Sequence, residues 1–242
     1  RPVYAMTLPV TVDLVSQENR AYFGLPENDY LFVLAFDFNS VLSRKNPAGV
    51  IQAFQRAFPL LKRDAVGLVI KTSHASGENK EWKRIKAMIK ADPRIHLIDV
   101  TLRRPQVLAL YRCCDCYVSL HRSEGFGRSL AEALLLDKQL IATGFSGNMD
   151  YCTDDRVYLV HYNKQDLRPS EYFHGSGQYW AEPDINHAAQ LMQQAHDNPK
   201  RVFPNEFDFS PTTVGARYAK RLHEIKHQLD PAREDHTNGG NF

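Results

Sequence analysis

Two carboxylates bracket a glycine-bearing turn in the stretch Ser119-Leu120-His121-Arg122-Ser123-Glu124-Gly125-Phe126-Gly127-Arg128-Ser129-Leu130-Ala131-Glu132-Ala133. An apolar run precedes it and a Leu- and Ala-rich run follows, so the order reads strand, turn, helix N-terminus. Gly125 and Gly127 let the backbone approach a ligand without interference from a Cβ. The amides of Arg128, Ser129 and Leu130 open the helix and can point at an anion. The helix dipole adds about 0.3–1 kcal/mol of preference for negative charge there. Glu124 lies in the loop and Glu132 one turn into the helix. A carboxylate is repelled by phosphate, so both fit one ligand only by bonding its neutral parts. The hydroxyls of a ribose and of a sugar suit them, because an ionised carboxylate accepts two hydrogen bonds in a fixed fork. Spacing alone equally allows Glu124 as a helix-capping acid and Glu132 as a solvated face residue.

Further residues that could do chemistry follow other apolar runs. Phe36-Asp37-Phe38-Asn39-Ser40 leads to Arg44-Lys45-Asn46-Pro47, a basic pair that otherwise reads as an exposed helix N-terminus. Lys71 directly follows Val69-Ile70, a place where mere surface is a poor explanation for a Lys. Gly147-Asn148-Met149-Asp150-Tyr151 forms another glycine-led loop. No Asp-x-Asp occurs in a loop suited to a metal, and no metal site is expected. Cys113-Cys114-Asp115-Cys116 lacks the second ligand pair that zinc requires. Those cysteines read as small core residues, and a reducing cytoplasm fits them best. No Gly-x-Gly-x-x-Gly follows the first strand, which argues against a dinucleotide-dependent dehydrogenase.

The elements needed to position these groups alternate along the chain. Leu31–Phe36, Val66–Ile70, Ile95–Ile98, Cys116–Leu120, Leu140–Thr143 and Val157–Val160 are short apolar runs of the kind found in parallel strands covered on both faces. Helices are expected from Asn46-Pro47 to Pro59, over Glu78–Lys90, Pro105–Cys113, Arg128–Leu136, Asp184–Asp197 and Thr213–Leu229. Strand and helix at this pitch mean right-handed βαβ units and a mainly parallel sheet. The fold class is α/β, a Rossmann-like α/β/α sandwich. Ligands of such sheets bind beyond the carboxyl ends of the strands, where the loops starting at Asp37, Lys71, Asp99, His121 and Gly144 belong.

The chain has 242 residues, of which 43% are hydrophobic and 24% charged, with a formal net charge of +2. That balance suits a buried core and gives no general surface for nucleic acid. No apolar run approaches the roughly 18–20 residues that a spanning helix needs. The opening Arg1-Pro2-Val3-Tyr4 is no signal peptide and reads as the edge of something longer. The expected organisation is an N-terminal linker over 1–26, one ligand-binding domain over 27–229 and a polar, disordered tail over 230–242.

Glu-x7-Glu within Ser-Glu-Gly-Phe-Gly-x-x-x-x-Glu-Ala resembles the signature of retaining GT-B glycosyltransferases of family 4. The similarity spans about residues 27–228 and implies the C-terminal half of a GT-B fold. It implies that Glu124 bonds the donor sugar and Glu132 the nucleotide's ribose. Ser123, Gly125, Phe126, Gly127, Arg128, Ser129 and Leu130 would lie against the sugar and its phosphates. Lys45 and Lys71 would hold the pyrophosphate. Phe36-Asp37-Phe38 replaces the family's usual Gly-Arg-Leu, which leaves Arg44 as the candidate for its donor-facing Arg. Asn148 sits in a loop similar to the family's Gly-Asn-x-acid-aromatic segment, near the donor sugar. Trp180-Ala181-Glu182-Pro183-Asp184 also recurs in this subgroup, with Trp180 read as packing. The resemblance further implies a UDP- or GDP-linked sugar donor, retention without a metal, and a glycan or lipid-linked acceptor. An N-terminal GT-B domain would belong to the same polypeptide. The cellular setting implied is bacterial surface polysaccharide assembly in the cytoplasm, peripherally at the inner membrane face. The competing readings are a GT-B epimerase, a phosphorylase (which needs a pyridoxal-phosphate lysine), and a non-catalytic sugar-nucleotide-binding or scaffolding module.

Overall fold

Apolar side chains on both faces of consecutive strands force helices onto both sides of the sheet. In the computed structural model, residues 6–12, 16–61, 65–75, 79–153, 157–169, 171–199 and 208–229 are described. They divide into two compact units, one drawn from Val12–Glu206 and a smaller one from Arg1–Thr11 and Phe207–Phe242. The expected tail over 230–242 lies outside the described residues.

In the larger unit, β1 (Tyr30–Asp37), β2 (Val66–Ser73), β3 (Ile95–Asp99), β4 (Cys116–Ser119), β5 (Gln139–Thr143) and β6 (Tyr158–Val160) form one parallel sheet in the order β3-β2-β1-β4-β5-β6. This is the doubly wound order, and its direction reverses between β1 and β4. β1 and β2 pair along their whole length, Tyr30 with Val66 through Asp37 with Ser73. Phe32 aligns with Cys116 across the switch point.

The helices are set by caps that the sequence supplies. α1 (Leu42–Lys45) and α2 (Pro47–Ala57) share Asn46, which caps α2 in the left-handed conformation at φ 52°. Its side-chain oxygen accepts from the Gly49 amide at 3.1 Å and its amide donates to Leu120 O at 3.0 Å. α3 (Lys80–Lys90) begins at Asn79 and α6 (Ile185–Asp197) at Asp184, each accepting from first-turn amides. α4 (Arg104–Cys113) carries Pro105 in its first turn, and α5 (Arg128–Leu135) starts after Gly127 at φ 84°. Phe32, Leu34, Phe36, Leu68 and Ile70 meet Val50, Phe54, Trp82, Ile85 and Met192 of α2, α3 and α6 in one buried cluster. Each such side chain contributes about 1.5–3 kcal/mol. On the opposite face Tyr111 of α4 stacks edge-on against Tyr117 of β4 at 5.2 Å.

Three differences from the sequence reading matter. β2 continues to Ser73, so Lys71 is still a strand residue. The strand set does not end at Val160: β7 (Tyr162–Asp166) and β8 (Tyr179–Pro183) form a separate antiparallel hairpin. α3 begins at Lys80, and Glu78 lies outside the described residues. The cysteines are free: Cys113 and Cys114 end α4, Cys116 opens β4 fully buried, and Cys152 is buried as well. Residues 16–26 are fastened by Arg20, which donates to Cys113 O, Glu27 O and Asp29 O and pairs with Asp115 at 2.9 Å.

In the smaller unit, α7 (Pro211–Leu229) follows Phe209, whose carbonyl accepts from the Val10 amide at 3.0 Å. Tyr218, Leu222 and Leu229 of α7 are exposed. Among the described residues no helix is long and apolar enough to cross a membrane.

Candidate functional site

The carboxyl ends of β1 and β2 and the start of α5 enclose a cavity of about 200 Å³ lined by Asp37, Lys71, Ser73, Arg104, Tyr111, Arg128, Ser129 and Glu132, among others. The fold brings this set together at the side of the sheet's switch point. Gly127 takes the left-handed conformation that ends the β4 loop and aims α5 at the cavity. Of the three amides expected to be free there, Leu130's is not: it donates to Gly127 O at 2.9 Å in a tightened first turn. Arg128 and Ser129 keep amides without a hydrogen-bond partner among the described residues.

Glu132 is 1% exposed, which removes the reading of it as a solvated face residue. Arg104 Nη1 lies 2.7 Å from Glu132 Oε1, close enough for an ion pair. The pair is held by charge at short range, and its angle falls outside ordinary hydrogen-bond alignment. Glu132 lines the cavity, and an ionised carboxylate has lone pairs on both oxygens to offer an incoming hydroxyl. Burial pushes the Glu132 carboxyl above its ordinary value, and Arg104 offsets this only in part. Lys71, 5% exposed, donates from Nζ to Thr72 O at 2.6 Å. Burial lowers its pKa against the opposing pull of Asp99 and Asp37.

Glu124 belongs to an adjoining cluster rather than to a helix cap. Its Oε2 lies 2.6 Å from Lys45 Nζ and 3.3 Å from Arg44 Nη1, and Arg44 also donates to Ser123 O at 2.7 Å. Burial raises the carboxyl's pKa, but Lys45 and then Arg44 outweigh it, and the value falls below the ordinary one. Arg44 and Lys45 therefore sit at the C-terminal end of α1, turned inward, and not at an exposed helix N-terminus.

The loop after β5 holds the Glu124–Gly127 backbone in place. Ser146 Oγ accepts from the Glu124 amide at 2.7 Å, and the Gly147 amide donates to Glu124 O at 2.9 Å. Tyr151 shares its hydroxyl proton between Phe126 O and Gly127 O, at 2.8 and 2.7 Å. Asn148, fully buried, donates to Thr143 O and offers Oδ1 to His121 Nε2 at 3.0 Å. Nε2 also faces Phe145 O at 3.2 Å. Two acceptors there require the proton on Nε2, which leaves Nδ1 to accept from Ser119 Oγ at 3.0 Å. Burial lowers the pKa of His121, in keeping with this neutral tautomer. Asn148 thus supports the loop through His121.

Arg104, Ser146, Tyr151 and His121 were not singled out by spacing. Arg104 was findable in principle, since Arg103-Arg104-Pro105 follows β3 as Lys71 ends the apolar part of β2. The others act through contacts that no local pattern displays. Gly125 carries a direct test. A Cβ built there meets no protein atom within 4 Å. Gly125→Ala should therefore leave the melting temperature unchanged, so that any lost affinity is a clash with ligand. Wild-type affinity for every ligand that binds the chain would remove Gly125 from the site. Among the described residues, no three His, Cys, Asp or Glu side chains cluster as metal ligands.

The sequence matches the family described as Glycosyl transferases group 1 over residues 16–168, well over half of the chain. No curated protein sequence matches it significantly. Among solved structures it is similar to sucrose-phosphate synthase from Thermosynechococcus elongatus, with a TM-score of 0.64 and 15% identity, covering 91% of this chain and 52% of that one. It is similar to α,α-trehalose 6-phosphate synthase from Burkholderia multivorans, with a TM-score of 0.61 and 12% identity, covering 92% and 50%. It is also similar to Anabaena HepE in complex with UDP and glucose, with a TM-score of 0.53 and 18% identity, covering 85% and 51%. At these identities the likeness shows the fold, a GT-B half, and the chain spans about half the length of each of these proteins. The chain belongs to the group 1 glycosyl transferases, of which it is a C-terminal-type, Rossmann-like domain.

Proposed function

We propose that this chain is the donor-binding half of a retaining, metal-independent glycosyltransferase that uses a nucleoside-diphosphate sugar. The observation that carries the reading is the convergence of Lys71, the free amides of Arg128 and Ser129, and the buried Glu132 on one cavity at the sheet's switch point. The amides and Lys71 suit the diphosphate, and the Glu132 carboxylate in the cavity wall suits the ribose hydroxyls. Glu124, held by Lys45 and Arg44, is the group for the sugar hydroxyls. The UDP bound in the Anabaena structure favours UDP over GDP as the base to try first.

In the reaction the anomeric carbon–oxygen bond breaks and its electron pair passes to the diphosphate. The acceptor oxygen bonds the anomeric carbon on the same face, and its proton goes to the departing phosphate oxygen. The amides of Arg128 and Ser129 meet the growing charge together with Lys71 and Lys45, which turn to it from Thr72 O and Glu124, and one such donor is worth about 2.7–4 kcal/mol. The acceptor, a glycan or a lipid-linked sugar, would be held by an N-terminal domain of the same polypeptide. The setting in that case is bacterial surface polysaccharide synthesis at the cytoplasmic membrane face.

The test is calorimetric titration of the chain with UDP, GDP, UDP-glucose and GDP-mannose. Selective binding of one nucleotide is expected; binding of none sinks the reading. The raised Glu132 pKa adds a pH signature. As pH falls, Glu132 gains a proton before Glu124 and loses its charge and part of its acceptor capacity toward the ribose. Affinity should therefore drop with acidity, and Glu132→Gln should bind about tenfold more weakly at neutral pH with a flatter profile. An unaltered profile in Glu132→Gln would take the ribose contact away from Glu132.

A further inference from the structure

We infer that the β7–β8 hairpin is a positioning device for the donor site, acting through an Arg122–Glu182 latch. The inference rests on the donor reading above. Arg122 lies in the loop that carries Glu124, yet its side chain turns away from the cavity toward β8. Its Nε and Nη2 reach the two oxygens of Glu182 at 2.5 and 3.0 Å, a bidentate fork, while its guanidinium lies 5.1 Å from the Trp180 ring centre. The Ala181 amide donates to Arg122 O at 2.9 Å, so backbone and side chain both join the loop to β8. The remaining Nη1 donates to Ser43 O at 2.6 Å, and the Arg122 amide donates to Arg44 O at 2.8 Å.

Those two carbonyls belong to α1, which has four residues. A helix of one turn has no cooperative stability of its own, so its geometry is imposed from outside. Arg122 fills its C-terminal carbonyls, and α1 in turn presents Arg44 and Lys45 to Glu124. Glu182 fixes the fork that makes this possible. Arg122 has an 18% exposed side chain and Glu182 a 38% exposed one, so the geometry is held by the two-pronged fork and the Ser43 bond rather than by burial. Arg122 and Glu182 are positioning residues: they act on the donor through α1 and its cations.

The test uses the 242-residue chain and two substitutions, Glu182→Gln and Arg122→Lys, the latter keeping the charge but not the fork. Carbon NMR follows the Glu124 carboxyl titration, and calorimetry follows affinity for UDP-glucose and GDP-mannose. Both variants should let Lys45 drift from Glu124, moving the carboxyl titration up toward its ordinary value. Affinity for the bound probe should fall about tenfold. In a Lys45→Met background, Glu182→Gln should add little further change to that titration, as expected if it acts through Lys45. An unmoved Glu124 titration in folded variants overturns the latch. A moved titration with unchanged affinity overturns it too, since the hairpin then orders α1 without serving the donor. A wild-type chain that binds neither probe sinks the donor reading instead, before any variant is made.

Discussion

Gly147→Ala should abolish sugar-nucleotide binding while leaving the parallel sheet folded. A Cβ at Gly147 would lie 1.8 Å from Gly125 O and 3.0 Å from Glu124 O, both backbone atoms. Neither can swing aside as a side-chain tip would, so the two loops must part by more than an ångström. The parting breaks the Gly147–Glu124 and Ser146–Glu124 hydrogen bonds. It also moves the loop that leads into Gly127, and with it the start of α5. Overpacking of this kind costs about 1–3 kcal/mol of stability, a fraction of what an ordinary domain holds. Affinity should suffer far more, by about 100-fold or greater, because a displacement near 1 Å is enough to spoil a preorganised site. Titration and thermal melting on the same sample separate the two effects. Wild-type affinity in Gly147→Ala would mean that the Glu124–Gly127 loop does not touch the donor.

Lys71→Met should cost nucleotide binding heavily and stability not at all. Methionine keeps most of the volume and deletes the charge. Burial holds the Lys71 pKa below its unfolded value, so the charged side chain opposes folding. That cost is fully present below the depressed folded value and disappears as pH rises to the ordinary Lys range. At neutral pH the variant should therefore melt at or above the wild-type temperature. Removal of one cationic donor to the diphosphate should lower the UDP affinity of this chain about 100- to 1,000-fold. A residue kept at a cost in stability and needed for binding is what a functional cation looks like. Lower stability with intact affinity would make Lys71 a structural residue.

How much of this was legible in the sequence depended on locality. The six parallel strands read clearly because segments such as Leu31–Phe36 and Val66–Ile70 are apolar on both faces. The helices that begin at Asp184 and at Asn46-Pro47 carry their caps beside them. The hairpin did not read: Tyr162-Asn163-Lys164-Gln165-Asp166 is polar and half-exposed, with no alternation to mark a strand. α1 was missed because four residues hold no period. The glycine turn and both glutamates were visible as a motif, while their partners were not. Arg104 reaches Glu132 and Lys45 reaches Glu124 only once the chain has folded. Leu130 shows the limit at the scale of one turn, since its amide is taken by Gly127 through a bond that spacing does not display.

The most direct measurement is amide chemical-shift mapping of the labelled chain during titration with UDP-glucose and GDP-mannose. The account predicts that the nucleotide that binds shifts Lys71, Gly125, Arg128, Ser129 and Glu132 most, with smaller changes at Arg44 and Lys45. Saturable shifts confined to another surface, such as the cavity beside β7 and β8 lined by Asn163, Lys164 and Glu171, would contradict it. So would the absence of any saturable shift.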